Sequence, residues 1–299
     1  MITAVRSTLI DGMEIHLTEG GSGPPLLLIH GIGGPQMWKR VLNPLADDFQ
    51  LLAIDLPGFG ESDCPPRPYS THDYCEFLLH ALETVNCRFP LIAGISYGAQ
   101  IAATFARLHP HRLSGLVLID STGLAPNAAF GRMSAVRQLT EFALRHIILP
   151  NEWMTSHFGR LSFHDITHRP PDFCRTFHRQ ISQPGKQDAW INALWNIFDD
   201  APTFDRTLSE ITAPTLILWG ADDRLVSARC AEMFARLIRR SRVVTIARCS
   251  HSLPLEKPAE LCDAVHAFAE DFLAPPTAYP RRGSADQVHD HLYHRKDIR

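Results

Sequence analysis

Residues 94–99 read Gly-Ile-Ser-Tyr-Gly-Ala, directly after the apolar run 89–93 and directly before 100–109, whose composition suits a helix. A serine at a sharp strand-to-helix turn projects its hydroxyl clear of the sheet. Glycines two residues to either side keep side chains away from the tight backbone, and the following helix N-terminus favours developing negative charge. Ser96, between Gly94 and Gly98, is therefore a candidate nucleophile. The competing reading is a glycine-flanked serine that only caps the next helix.

A serine hydroxyl needs a neighbouring base to become a useful nucleophile. The chain holds 16 histidines, so position must choose among them. His251 lies in the stretch 247–258 (Ala-Arg-Cys-Ser-His-Ser-Leu-Pro-Leu-Glu-Lys-Pro), after the last strand-like run and before the last helix-like one. A loop there ends at the same carboxyl edge of a sheet as Ser96. His266 falls inside a helical pattern, His289, His291 and His294 lie near the C-terminus, and His30 reads as a support for the loop beginning at Gly31. The base in turn needs an acid to hold its tautomer. Asp222 and Asp223 follow the run 216–220, and Asp120 ends the run 115–119. The stretch 30–34, His-Gly-Ile-Gly-Gly, frees backbone N–H groups to face a developing oxyanion. The Ile32 N–H, with Gly33 beside it, and the Tyr97 N–H are the candidate donors.

These residues need a scaffold that brings strand ends together. Runs at 3–10 and 12–20 flank Asp11-Gly12, a dipeptide suited to a tight hairpin. Apolar runs at 26–31, 50–58, 89–96, 113–121, 213–220 and 241–247 read as further strands. Helical patterns at 37–49, 72–86, 99–110, 227–240 and 258–273 alternate with them. That alternation predicts an α/β fold with a mostly parallel, doubly wound sheet of eight strands. It stops between about 123 and 208, where helix-like stretches carry Phe130, Phe142, Trp153, Phe158, Phe163, Phe173, Phe177, Trp190, Trp195 and Phe198. The expected organisation is a core over 1–122 and 209–273, a helical cap over 123–208 and a flexible tail over 274–299.

Composition narrows the function classes. A hydrophobic content of 45% and a charged content of 20% are those of a soluble globular protein. The net charge of −3 gives no electrostatic reason to expect nucleic acid or an anionic membrane as partner. No leader pattern opens the chain, and no apolar stretch approaches the ~18–20 residues that span a bilayer. The 7 cysteines are scattered without a paired spacing, which predicts reduced thiols in a cytoplasm and no structural metal. Neither a cofactor nor a metal is expected.

The stretches 30–34, 55–62, 94–99, 219–226 and 249–258, in that order, resemble the α/β-hydrolase superfamily over residues about 10–273. The resemblance implies its fold, a helical cap inserted after the sixth strand, and a Ser–Asp–His triad. In that family the acid sits three residues after the glycine of a Gly-x-x-Asp stretch, so Gly220 selects Asp223, with Asp120 as the other acid. Residues 177–196 also resemble the carbon–carbon bond hydrolases of meta-cleavage products. Those enzymes carry Met after the nucleophile, a further Gly after that motif and Trp after the catalytic histidine, where this chain has Tyr97, Ala99 and Ser252. Haloalkane dehalogenases and epoxide hydrolases of the fold use an aspartate nucleophile, which Ser96 argues against. The expected activity is hydrolysis of small, mostly apolar acyl or aryl esters through an acyl-enzyme, by a monomer or homodimer. C–C hydrolysis, acyl transfer, lactone cleavage and low-turnover ligand reception are the alternatives. Arg175 or Arg179 would suit a substrate carboxylate, against the plainer reading of exposed helix arginines.

Overall fold

The computed structural model describes residues 1–124, 136–183 and 185–272; Phe130 and the expected tail lie outside the described residues. Strands β1 (Ile2–Ile10) and β2 (Met13–Gly20) form an antiparallel hairpin that closes at the pair Ile10 and Met13. Asp11 at φ 51° and Gly12 at φ 78° are both left-handed, as a two-residue turn matched to the strand twist requires. Strand β2 pairs antiparallel with β4 (Gln50–Ile54), and every remaining neighbour in the sheet is parallel. With β3 (Pro25–Ile29), β5 (Leu91–Ile95), β6 (Gly115–Ile119), β7 (Thr215–Gly220) and β8 (Ser241–Ile246), the spatial order is β1-β2-β4-β3-β5-β6-β7-β8.

The chain reverses direction across the sheet around β3, whose neighbours are β4 and β5. A crevice opens at such a switch point beyond the carboxyl ends of the strands. The stretch 30–34 leaves β3 at that edge, and Ser96 leaves β5 beside it.

Strands β5, β6 and β7 are buried along their whole length, which explains their unbroken apolar runs. Alternate residues serve opposite cores. Leu116, Leu118, Ile217 and Trp219 pack with Tyr74, Phe77 and Phe105 from helices α2 (Thr71–Thr84) and α3 (Tyr97–Leu108). Val117, Ile119, Leu216 and Leu218 pack with Trp38 and with Leu261, Val265 and Phe268 from the last helix, Pro258–Phe272.

One expected element is broken. In place of a helix over 37–49 there is a 3₁₀ turn, Pro35–Trp38, and a short helix α1, Leu42–Ala46. Pro44 lacks an N–H and its ring excludes the carbonyl four residues earlier, so it is tolerated only in a first turn.

Between β6 and β7 the described residues form the helices Arg137–Ala143, Glu152–Leu161, Phe173–Ile181, Lys186–Asp199 and Phe204–Ser209. Their aromatic side chains divide. Phe163, Phe173, Phe177, Trp190 and Trp195 are buried, whereas Phe142 and Trp153 are exposed. All seven cysteines are free thiols. No helix among the described residues is long and apolar enough to cross a membrane.

Leu118 is completely buried in a central strand, so L118A removes its transfer energy and leaves a cavity. A loss of about 2–5 kcal/mol is expected from the midpoint of urea unfolding, with the denaturant slope unchanged.

Candidate active site

Ser96 occupies the turn between β5 and α3 at φ 56°, ψ −122°, and stands at the N-cap position of α3 without making a side-chain capping bond. The capping explanation of this serine is therefore set aside. Four backbone hydrogen bonds hold the turn. The Ser96 N–H donates to Ile119 O at 2.9 Å, and Ser96 O accepts from Ala99, Gln100 and Thr122 at 3.0, 3.2 and 3.3 Å. A Cβ on Gly94 would collide with the Gly98 carbonyl, and one on Gly98 with the carbonyls of Ile29 and His30. These two glycines mark the close approach of β3, β5 and α3 rather than a conformational need.

Asp223 and His251 meet at the same edge. His251 Nδ1 donates to Asp223 Oδ2 at 2.7 Å, which assigns the ring proton to Nδ1 and leaves Nε2 as the basic nitrogen. The other Asp223 oxygen accepts the N–H groups of Leu225 and Val226 at 2.7 and 2.9 Å, and the carboxylate is fully buried. Asp222 faces elsewhere: its Oδ2 lies 3.0 Å from His164 Nδ1. Asp120, the other candidate acid, accepts from the Gly220 N–H at 2.8 Å through Oδ1. Asp120, Asp223 and His251 each place a ligand-type atom within 4.8 Å of the other two, and two of these residues, Asp223 and His251, are already hydrogen-bonded to each other.

The glycine loop after β3 is fixed from both sides. His30 is fully buried; burial lowers its pKa, so it is neutral. Its Nε2 accepts from the Leu56 N–H at 3.0 Å, so Nδ1 carries the proton and donates to Gly31 O at 2.7 Å. Gly34 N–H donates to the same carbonyl at 3.0 Å. In a trans peptide the N–H lies opposite the C=O, so the Ile32 N–H points away from His30. The next carbonyl, Ile32 O, accepts from the Trp190 indole N–H at 3.0 Å, which turns the Gly33 N–H the other way. Tyr97 begins α3, where an N–H has no intrahelical acceptor.

Three supports were not visible in the sequence. Trp190, on the helix Lys186–Asp199, is 158 residues from the carbonyl it holds. The buried Glu256 accepts the His164 and Asp165 N–H groups through Oε1 at 2.7 and 3.0 Å, and the Ser250 N–H through Oε2 at 2.7 Å. It thereby ties the His251 loop to the segment after the helix Glu152–Leu161; Ser252 N–H to Ser162 O at 2.8 Å adds a second tie. The third is a polar chain beneath the Ser96 turn. Tyr97 OH contacts Thr71 Oγ1 at 3.1 Å and accepts from Asn196 Nδ2 at 2.8 Å, while Asp200 Oδ2 accepts from Thr71 and from Gln100 at 2.5 and 2.9 Å. The available signal was the polar pair Tyr97 and Gln100, one and four residues after Ser96, which the structure buries.

Ser96, Asp223 and His251 all line one cavity of about 520 Å³, together with Gly31, Ile32 and Gly33. Phe173, Phe177, Leu194, Ile197 and Phe198 from the inserted helices make much of its wall apolar. Arg175 and Arg179 are exposed and do not line it.

The chain is similar in sequence and fold to known proteins. A 2-hydroxy-6-oxo-2,4-heptadienoate hydrolase of Pseudomonas putida is 25% identical over 280 residues, covering 89% of this chain and 97% of its own. The crystal structure of a membrane phospholipase A, a bacterial virulence factor, superposes with a TM-score of 0.75 at 28% identity, over 91% of this chain and 87% of that one. A thermophilic esterase from Thermogutta terrifontis gives 0.73 at 25% identity, over 91% and 99%. The profile of the alpha/beta hydrolase fold family matches residues 24–258, and the chain belongs to that family.

Proposed function

We propose that the protein is a serine hydrolase of carboxylic esters, with Ser96 as nucleophile, His251 as base and Asp223 as the acid that orients it. The observation that carries this reading is the 2.7 Å bond from His251 Nδ1 to Asp223, made at the wall of the cavity that Ser96 also lines. Proton placement follows from it. With Nδ1 committed, Nε2 takes the Ser96 proton as the oxygen attacks the ester carbonyl, and Asp223 stabilises the imidazolium formed. The Ile32 and Tyr97 N–H groups then receive the tetrahedral oxyanion. His251 returns its proton to the departing alkoxide, leaving an acyl group on Ser96. Water activated by the same Nε2 attacks that acyl carbon; Ser96 leaves with the proton, and the acid is released.

The aromatic and aliphatic wall favours a small apolar acyl or aryl group, because pockets gain affinity from apolar area and orientation from few polar groups. A second reading is C–C bond hydrolysis, favoured by the near full-length match to a dienoate hydrolase. Tyr97, Ala99 and Ser252 weigh against it. A panel of short-chain esters, lactones, thioesters and a C–C cleavage dienone separates the readings, since the dienone turns over fastest only under the second.

S96A is expected to lower turnover of a short-chain nitrophenyl ester at least about a thousandfold; wild-type rates in this variant would remove the serine mechanism. D223N should lose on the order of 10³-fold or more in kcat, because the wrong imidazole tautomer is then held, while D222N stays within about threefold. W190F keeps the ring but not the N–H that pins Ile32 O. A loss of roughly tenfold, in kcat more than KM, is the expected outcome of steady-state kinetics.

A further inference from the structure

One fully buried titratable group has no part in the mechanism above. Asp120 follows β6 at φ 45°, with its N–H donating to Leu218 O at 3.0 Å and its side chain sealed from solvent. Oδ1 accepts from the Gly220 N–H at 2.8 Å; Oδ2 is buried with no hydrogen-bond partner. A carboxylate oxygen left so would carry uncompensated charge out of reach of water, which is among the most costly arrangements a fold can hold. A protonated oxygen needs only an acceptor. The titratable groups facing it are Asp223, Glu256, His251 and the Cys249 thiol, and no Lys or Arg among the described residues pairs with it. Its neighbours therefore supply negative charge and acceptors, with the Asp223 carboxylate within 4.8 Å.

We propose that Asp120 is an un-ionised positioning acid whose O–H donates to the Asp223 carboxylate and weakens that carboxylate's hold on the His251 imidazolium. Burial first, and the Asp223 charge second, push the Asp120 pKa well above the usual carboxylate range. Asp223 has room for the bond, since an ionised carboxylate offers about four acceptor positions and the Leu225, Val226 and His251 donors fill three. One proton thus serves two adjacent carboxyl groups, and the charge stays on the member that faces histidine. The consequence for catalysis is a sign. A donor on Asp223 makes it a weaker partner for the imidazolium, so His251 becomes the neutral base at lower pH than it otherwise would.

Two measurements on D120N and D120A test this. The first rests on the proposed esterase mechanism: the acidic limb of kcat/KM against pH. D120A removes the donor, so the limb moves to higher pH by roughly half a unit or more; D120N, whose amide N–H still donates to Asp223, moves it less. If Asp120 were ionised, both variants would remove a negative charge and shift the limb to lower pH, which overturns the proposal. The second needs no substrate. An unfolded Asp ionises near pH ~4, so above that pH the unfolded state releases a proton that folded Asp120 keeps, and wild-type stability falls as pH rises. Neither variant has this term, so each one's Tm relative to wild type must climb by a few degrees from pH 5 to pH 8. A difference that stays flat across that range shows an ionised Asp120 and sinks the inference, even if no ester is ever turned over. Either variant alone suffices if the other does not fold.

Discussion

A serine at φ 56° between a strand and a helix carries backbone strain of about 1–3 kcal/mol, and the surrounding structure must over-determine it. Here β3, β5 and α3 approach so closely that a Cβ on Gly94 or Gly98 would collide with backbone carbonyls, and hydrogen bonds from Ala99, Gln100 and Thr122 converge on Ser96 O. The remaining site is arranged around that fixed point. The β3 loop lies beside it because β3 and β5 are neighbours in register, Ile29 opposite Gly94. Asp120 leaves β6 one pair further on, and Asp223 leaves β7 beyond that, so the acids share one sheet edge with the serine. The fold supplies proximity through register rather than through side-chain contacts.

The inserted helices are fastened to this edge by polar contacts at several places. Trp190 holds the Ile32 carbonyl, Glu256 holds the backbone at 164 and 165, and Asn196 and Asp200 reach Tyr97, Thr71 and Gln100 beneath the turn. Buried networks of this kind rigidify when every member is satisfied, and they couple the wall of the cavity to the backbone groups proposed as oxyanion donors. The same insertion carries Phe142 and Trp153 exposed while Phe173, Phe177 and Phe198 face the cavity. Its aromatic content therefore divides between solvent-exposed positions, buried packing and the cavity wall.

How far the sequence carried this depended on the range of each interaction. The Asp11-Gly12 turn and the eight strand-like runs were legible, because turn dihedrals and strand periodicity are local properties. The helix expected over 37–49 failed at a local detail, Pro44, that outweighs apolar periodicity. Choosing between Asp222 and Asp223 was beyond local reasoning, since both occupy the same loop and only family resemblance separated them; in the structure one faces His251 and the other His164. The roles of Trp190 and Glu256 left no trace in pattern, as Trp190 acts on Ile32 and Glu256 on residues 164 and 165, contacts that span 91–158 residues of chain. Asp120 did leave one: an acid closing the run Leu116–Ile119, where burial makes a charge expensive.

The most direct measurement is the site of covalent trapping. Rapid quenching during turnover of a slow ester, followed by intact-mass and peptide analysis, should find one acyl group per chain, on Ser96, and none in S96A. An acyl group on another residue, or ester turnover with no acylated protein at any quench time, would contradict the serine acyl-enzyme on which the account rests.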